Sequence, residues 1–339
     1  MLKTNFYNLI NFLEDKKILI LTHNLLDLDA LASTVSFKYF LTIYFENLPS
    51  PEIYYSEINK STKIFIEKVK EKYPNSELFT FMDPIDFSGI DVIVILDTNN
   101  LDQLKLETDL NLDSLEIPYI FIDHHLNLEK NYKNNISSLN IIEDKIPSTA
   151  EIIYDFYKIA QRDIVNPIRF LLLGGILTDS GFFKYASNQT FCRVNDLLND
   201  DIKYQELRES LRSESNLSLK IAIIKGVQRV EMIRYNSWLI GVSHVSSFES
   251  SVASKLLRVG FDIGLVYSEK KDHNLISTRA KNKVCLQTDL HLGKVLNQTA
   301  KEIGGTGGGH DGAAAIKFDD DPKEVVKLII EKLKTILKN

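Results

Sequence analysis

Four apolar runs in this chain end in side chains that can hold metal ions or move protons. Tyr119-Ile120-Phe121-Ile122 runs straight into Asp123-His124-His125, and Ile18-Leu19-Ile20-Leu21 delivers His23, Asp27 and Asp29 in the pattern His-x-x-x-Asp-x-Asp. The run from Val92 to Leu96 stops at Asp97, and the apolar stretch 169–177 presents Asp179. Aspartate and histidine suit hard to borderline divalent cations. Together His23, Asp27, Asp29, Asp97, His124 and Asp179 offer four carboxylates and two imidazoles, and four negative charges balance two divalent ions. If Asp97 bridges, the ions sit about 3.5 to 4 Å apart, the separation used for in-line attack on phosphoryl groups. The set predicts phosphoester hydrolysis. Without ions such a cluster repels itself, so metal binding and local order are expected to be coupled. Plainer readings stand at each position taken alone: Asp29 as a helix cap, Asp97 as a turn residue beside Asn99 and Asn100, and the histidine pair as packed and hydrogen-bonded. Recurrence at four strand or helix ends is what favours ligands.

The elements that must position these groups follow from hydrophobic periodicity. Strand-like and helix-like segments alternate through the first half, which predicts an α/β fold with a doubly wound parallel sheet and ligands gathered outside its carboxyl edge. Helices are expected over 2–13, 30–40 and 62–72 and from Ser148 or Thr149 through Tyr157, with a short strand over 78–81. Residues 188–220 are charged and leucine-rich at helical spacing, the pattern of a helical connector. From Val230 strands return, and a second, smaller α/β domain with a mixed sheet is expected, the active site lying in the cleft between the two. The boundaries read as 1–190 for the metal-binding catalytic domain, 191–229 for the linker and 230–339 for a substrate-binding domain.

That second part has its own focus, Gly304-Gly305-Thr306-Gly307-Gly308-Gly309-His310. Glycines at this density let a backbone approach a ligand closely and aim successive N–H groups into an anion-binding nest. His310 adds a donor, and Arg279, on the preceding strand-like run, can clamp a phosphate bidentately. A flexible hinge is the alternative.

Composition narrows the class. The 339 residues carry a formal net charge of -6, which argues against gripping long nucleic acid over the whole surface. The two cysteines, Cys192 and Cys285, form no disulfide framework and read as small packed thiols of a reducing compartment. No run of 18 apolar residues and no leader-like amino terminus is present, so a cytoplasmic protein without a membrane segment is expected.

The blocks His23-x-x-x-Asp27-x-Asp29, Asp97, Asp123-His124-His125 and Asp179, followed by Gly308-Gly309-His310, resemble the DHH phosphoesterase superfamily with its DHH-associated carboxyl-terminal domain. The resemblance spans nearly the whole chain. It implies that His23, Asp27 and Asp97 hold one manganese ion while Asp29, Asp97, His124 and Asp179 hold the other, with magnesium or cobalt as alternatives. It further implies that His125 faces the scissile phosphate and that Asp123 orients its neighbours. Arg279 and His310 then contact substrate phosphate, and Gly307, Gly308 and Gly309 wrap the nucleotide; Ala315 stands where many members carry glycine. Within the superfamily the chain is most similar to the short two-domain nanoRNases and 3',5'-bisphosphonucleotide (pAp) phosphatases. The expected substrate is therefore a short single-stranded oligonucleotide or small nucleotide, and a homodimer is the assembly allowed for. A RecJ-like single-strand exonuclease, a cyclic-dinucleotide phosphodiesterase and a non-catalytic replication scaffold are the alternatives, and the intact motif residues disfavour the last.

Overall fold

The computed structural model describes residues 2–45, 49–106, 112–126, 132–212 and 217–338, and the chain divides into two compact units, Met1–Ser213 and Glu214–Asn339. The first unit opens with α1 (Leu2–Leu13), β1 (Ile18–Thr22), β2 (Leu25–Leu26) and α2 (Leu28–Tyr44). It continues through β3 (Glu52–Ile53), β4 (Glu57–Ile58), α3 (Lys60–Lys72), β5 (Val92–Leu96), β6 (Tyr119–Asp123) and β7 (Ile141–Ile142). The helices α4 (Thr149–Ile159), α5 (Asn166–Asp179), α6 (Asn188–Leu197) and α7 (Tyr204–Ser210) complete it.

Its main sheet runs β3-β1-β5-β6-β7 with every pairing parallel. β1, β5 and β6 are buried at every position, which is why their sequences are continuous rather than alternating apolar runs. Ile18, Ile20, Val92, Val94, Ile120 and Ile122 face the helices. Leu19, Leu21, Ile93, Ile95 and Phe121 on the other face are covered by Met82, Ile85, Phe87, Leu101 and Leu104, which belong to irregular chain and a short 3-10 turn. Among the described residues, helices thus supply one cover of this sheet and loops the other. Residues 78–81, expected as a strand, are irregular chain: their side chains Leu78, Phe79 and Phe81 pack on the core. Their backbone finds no strand of matching length, since β3 has two residues.

The order of strands positions the chemistry. From β1 the chain moves outward to β3 and then returns to the other side of β1 as β5, so the direction of winding reverses between β1 and β5. A crevice forms outside the carboxyl ends at such a switch point. His23 follows β1, and Asp97 follows β5.

The second unit comprises α8 (Leu217–Gln228), β8 (Glu231–Tyr235), β9 (Trp238–His244), α9 (Glu249–Val259), β10 (Ile263–Glu269) and β11 (Asn274–Ala280), followed by α10 (Asn282–Thr288), α11 (Leu292–Ile303), β12 (Thr306–Gly309), β13 (Ala313–Phe318) and α12 (Pro322–Ile336). Its sheet is mixed, ordered β12-β13-β11-β10-β9-β8 with only β9 and β10 parallel. Residues 191–229 are largely helical but do not form one connector. α6 and α7 belong to the first unit, α8 to the second, and 213–216 lie outside the described residues. Cys285 is buried, whereas Cys192 stands exposed on the outer face of α6. No helix among the described residues is long and apolar enough to cross a membrane.

The glycine run corrects its sequence reading. Residues 306–309 form β12, paired antiparallel with β13 from Thr306 opposite Lys317 to Gly309 opposite Ala314, and an extended strand does not curl its N–H groups into a nest. Close packing explains Gly305, Gly307 and Gly309 instead. A side-chain carbon on Gly293 of α11 would collide with the Gly309 carbonyl, and one on Gly309 with the Ala313 carbonyl. Asn297 Nδ2 of the same helix donates to Gly307 O at 3.2 Å. Helix α11 therefore rests directly on the backbone of the edge strand. Gly293→Ala is expected to destabilise the second unit by about 1–3 kcal/mol, the usual cost of overpacking a tight contact. Urea unfolding checks this, and an unchanged midpoint would contradict the contact.

Candidate metal centre

The side chains gathered at the switch point come from five elements or their ends. Asp27 caps α2, its Oδ1 accepting the N–H groups of Asp29 at 3.1 Å and Ala30 at 3.0 Å. So the capping role falls to Asp27, and Asp29 sits within the first turn of α2, almost fully buried. Asp97 leaves β5 in a left-handed conformation, φ 64°, which aspartate tolerates better than most residues. Its two oxygens then point different ways: Oδ2 lies 3.5 Å from His23 Nε2 and Oδ1 lies 3.6 Å from His124 Nε2. His23 Nε2 is also 3.8 Å from Asp27 Oδ2. His124 Nε2 is 3.1 Å from Asp179 Oδ2 and 4.0 Å from Asp29 Oδ2.

Three groups of possible ligand atoms result, one of them Asp97, Asp123, His124 and His125. His23, Asp27 and Asp97 offer donor atoms within 4.8 Å of one another, and so do Asp29, His124 and Asp179. Buried His124 Nε2 makes no aligned hydrogen bond despite three carboxylates around it, as expected of a nitrogen lone pair turned toward a cation. Donor chemistry and this orphaned atom both fit a divalent metal. Asp123 sits behind, fully buried, with Oδ1 accepting from His124 N at 2.8 Å and paired with His125 Nδ1 at 2.7 Å. His125 is left half-exposed, its backbone carbonyl held by Asn99 Nδ2 at 3.1 Å.

Sequence reading missed the groups that hold the ligands. Thr149 N and Ala150 N, at the start of α4, donate to the two oxygens of Asp29 at 2.7 and 3.0 Å, and Thr149 Oγ1 donates to Asp97 Oδ1 at 2.9 Å. Gly175 on α5 leaves the room: a side-chain carbon there would lie 2.9 Å from Asp29 Oδ1. From the sequence, Ser148 and Thr149 were legible only as helix caps, and Ser148 is indeed the cap.

Crowding shows in the electrostatics. Burial, reinforced by the charges of Asp97, Asp179 and Asp27, pushes the Asp29 carboxyl well up, against the pull of the Ala150 N–H. Asp97 is raised too, chiefly by burial. Burial pulls His23 down, but Asp27 and Asp97 overcome it and lift it to about 10. The bond to Asp123 lifts His125 to about 9. Protons are doing here what cations would do.

In the second unit, Arg279 pairs with Ala313 and Gly309 with Ala314, on opposite sides of β13. Two strand spacings put the Arg279 and Gly309 backbones about 10 Å apart at the same end of the sheet. His310 begins the turn between β12 and β13, its N–H donating to Ala313 O at 2.8 Å, and its side chain is exposed. Arg279 is half-buried, with Nη2 donating to Ser250 Oγ at 3.1 Å and Nη1 to Thr278 O at 2.9 Å. Gly308 has open space beside it, Gly307 packs on Leu296 and Ile316, and the Ala315 side chain points to solvent.

Fold and side-chain set define an α/β protein with an acid-imidazole cluster at a parallel-sheet switch point. Residues 17–176 match the DHH family, N-terminal domain, and residues 250–339 match the DHHA1 domain. An uncharacterized protein of Methanocaldococcus jannaschii is 30% identical over 328 residues, covering 96% of this chain and 94% of that one. A Streptococcus mutans protein named "Probable bifunctional oligoribonuclease and PAP phosphatase NrnA" is 29% identical over 198 residues, 58% of this chain and 56% of its own. Among solved structures, an exopolyphosphatase-related protein from Bacteroides fragilis superposes with a TM-score of 0.68 at 20% identity, covering 100% of this chain and 98% of that one. The chain belongs to the DHH phosphoesterase superfamily and carries its DHHA1 domain.

The raised groups fix a sign for pH dependence. A carboxyl or imidazole raised in the folded state binds more protons there than when unfolded, so its stabilisation is full at low pH and is lost as pH rises through the folded value. Asp29, Asp97, His23, His124 and His125 act in that direction, and Asp27, held despite its burial below the usual carboxylate range by His23, opposes them. The melting temperature of the metal-free protein should fall between about pH 5 and pH 9, and manganese should restore it most at the alkaline end. A melting temperature that rises over that range, or a manganese increment larger in acid, would reject this account.

Proposed function

We propose that the chain is a divalent-metal-dependent phosphoesterase acting on short single-stranded oligonucleotides or small nucleotides such as pAp. Asp97 carries the reading: one carboxylate with its two oxygens turned to two different imidazoles, at 3.5 and 3.6 Å, has the posture of a ligand shared by two cations. On this reading His23, Asp27 and Asp97 hold one ion, Asp29, Asp97, His124 and Asp179 hold the other, and manganese is the expected metal. The name of the Streptococcus mutans relative supports the nucleotide class, over the part of the chain that it matches.

When bound, the ions supply an acidified water and positive charge for the phosphoryl oxygens. The chain's own groups bind and orient. His125, cationic at neutral pH because Asp123 holds its Nδ1, has Nε2 free to donate to a phosphoryl oxygen. Asp123 fixes that ring rather than meeting substrate. Arg279 commits two of its five N–H donors to Ser250 and Thr278 and keeps the rest for a phosphate, near the end of β13 where His310 stands.

A length series of labelled oligonucleotides with manganese, run beside pAp and cyclic dinucleotides, tests the reading. Turnover should fall steeply beyond about five nucleotides, the number of bases that a compact site can stack. Turnover undiminished on long strands would instead assign a processive exonuclease. Asp97→Ala should lower kcat by at least about 10²-fold, whereas Arg279→Ala should raise KM about tenfold or more with metal content unchanged. Near-native turnover in Asp97→Ala would end the proposal.

A further inference from the structure

We infer that Arg193, on α6, is a positioning residue of the metal centre, acting through Glu151 and the first turn of α4 on Asp29 and Asp97; this rests on the two-cation reading above. The chain of contacts is continuous. Thr149 and Ala150 present three donors to those two ligands, at 2.7, 3.0 and 2.9 Å. The next residue, Glu151, is fully buried. Its carboxylate accepts from Thr190 Oγ1 at 3.1 Å, Ser148 Oγ at 3.5 Å and Arg193 Nη1 at 2.9 Å. One turn further along α4, Asp155 takes Arg193 Nε at 2.9 Å and Nη2 at 2.6 Å. A single guanidinium therefore bolts the first two turns of α4 to α6.

Stability alone gives a weak reason for this network, because a well-packed apolar pair commonly serves a buried position as well as an ion pair does. Its location gives a stronger one. Glu151 directly follows the donors to Asp29 and Asp97, and without Arg193 its buried carboxylate would lose the 2.9 Å partner that fixes its place behind them. Asp29 also lies close against α5, since a side-chain carbon on Gly175 would stand 2.9 Å from its Oδ1. A shift of α4 at its amino end would move ligand oxygens by a similar amount, and partners that orient ligands typically contribute 10–100-fold in metal affinity.

Mn²⁺ affinity of the full-length protein, read from loss of the free-ion electron paramagnetic resonance signal, tests the inference apart from turnover. Arg193→Met should weaken Mn²⁺ binding about 10–100-fold, and so should Thr149→Val, while Thr149→Ser, which keeps the hydroxyl, stays near native. Tyr154→Phe supplies the structural control: it removes the 2.7 Å bond from Tyr154 OH to Asp196 Oδ2, which also joins α4 to α6, and should lower the melting temperature without changing Mn²⁺ affinity. Native affinity in folded Arg193→Met overturns the inference, as does an equal loss in Tyr154→Phe. Should Arg193→Met not fold, Arg193→Lys decides by the same measure, since lysine keeps the charge but cannot span Glu151 and Asp155. Two outcomes separate the failures. If native protein binds Mn²⁺ and cleaves nucleotides while all variants match it, only the positioning role falls; if native protein binds no Mn²⁺, the two-cation reading falls with it.

Discussion

Mutual repulsion among four carboxylates is the constraint on which the first unit is built. Asp29 and Asp97 are nearly inaccessible to solvent, and Asp27 and Asp179 stand close enough to raise them further. Water cannot screen charges in such a place, so the fold surrounds them with fixed donors. Asp27 spends its charge on the amino end of α2, and Asp29 lies at the amino end of α4, where unpaired N–H groups and the helix dipole favour an anion. His23 and His124 stand between the carboxylates.

The parallel sheet makes that concentration of charge feasible. Its central strands are buried on both faces and, apart from Tyr119 at the start of β6, carry no polar side chain until their carboxyl ends, so their carboxylates and imidazoles emerge at one edge. Reversal of winding between β1 and β5 opens that edge, and the helices α4 and α5 bring Thr149 and Asp179 to it from elsewhere in the chain. Side chains brought together from separate loops need a rigid support to keep ligand-like distances. The aromatic packing of Phe6, Phe40 and Phe156 behind α2 and α4 supplies it.

A different rule governs the second unit. There the glycines let α11 lie against an edge strand, and the same close approach ties the turn after β12 to the amino end of α11, whose Gly293 N donates to His310 O at 2.9 Å. At Gly305, Gly307 and Gly309 glycine is a packing requirement, whereas Gly308 has open space beside it.

By itself the sequence determined which strands are buried and which ionisable residues follow them, because burial on both faces demands unbroken apolar runs and the type of each terminal residue is explicit. Asp97 and the Asp123-His124-His125 triplet could be read in that way, as could the order of units and the family. Several features became visible only in the tertiary structure. Helices cover one face of the first sheet and loops the other, the glycine run is a strand rather than a nest, and α4 supplies the donors that hold Asp29 and Asp97. Backbone N–H groups have no signature in a one-dimensional pattern, and Thr149 is 120 residues from the Asp29 carboxylate it binds. Arg193 was legible only as one charge of the helical segment 188–220, since its partners Glu151 and Asp155 meet it through the packing of α6 on α4. Sequence names the groups able to do chemistry; the folded chain alone sets the distances and burial that give each its charge and its role.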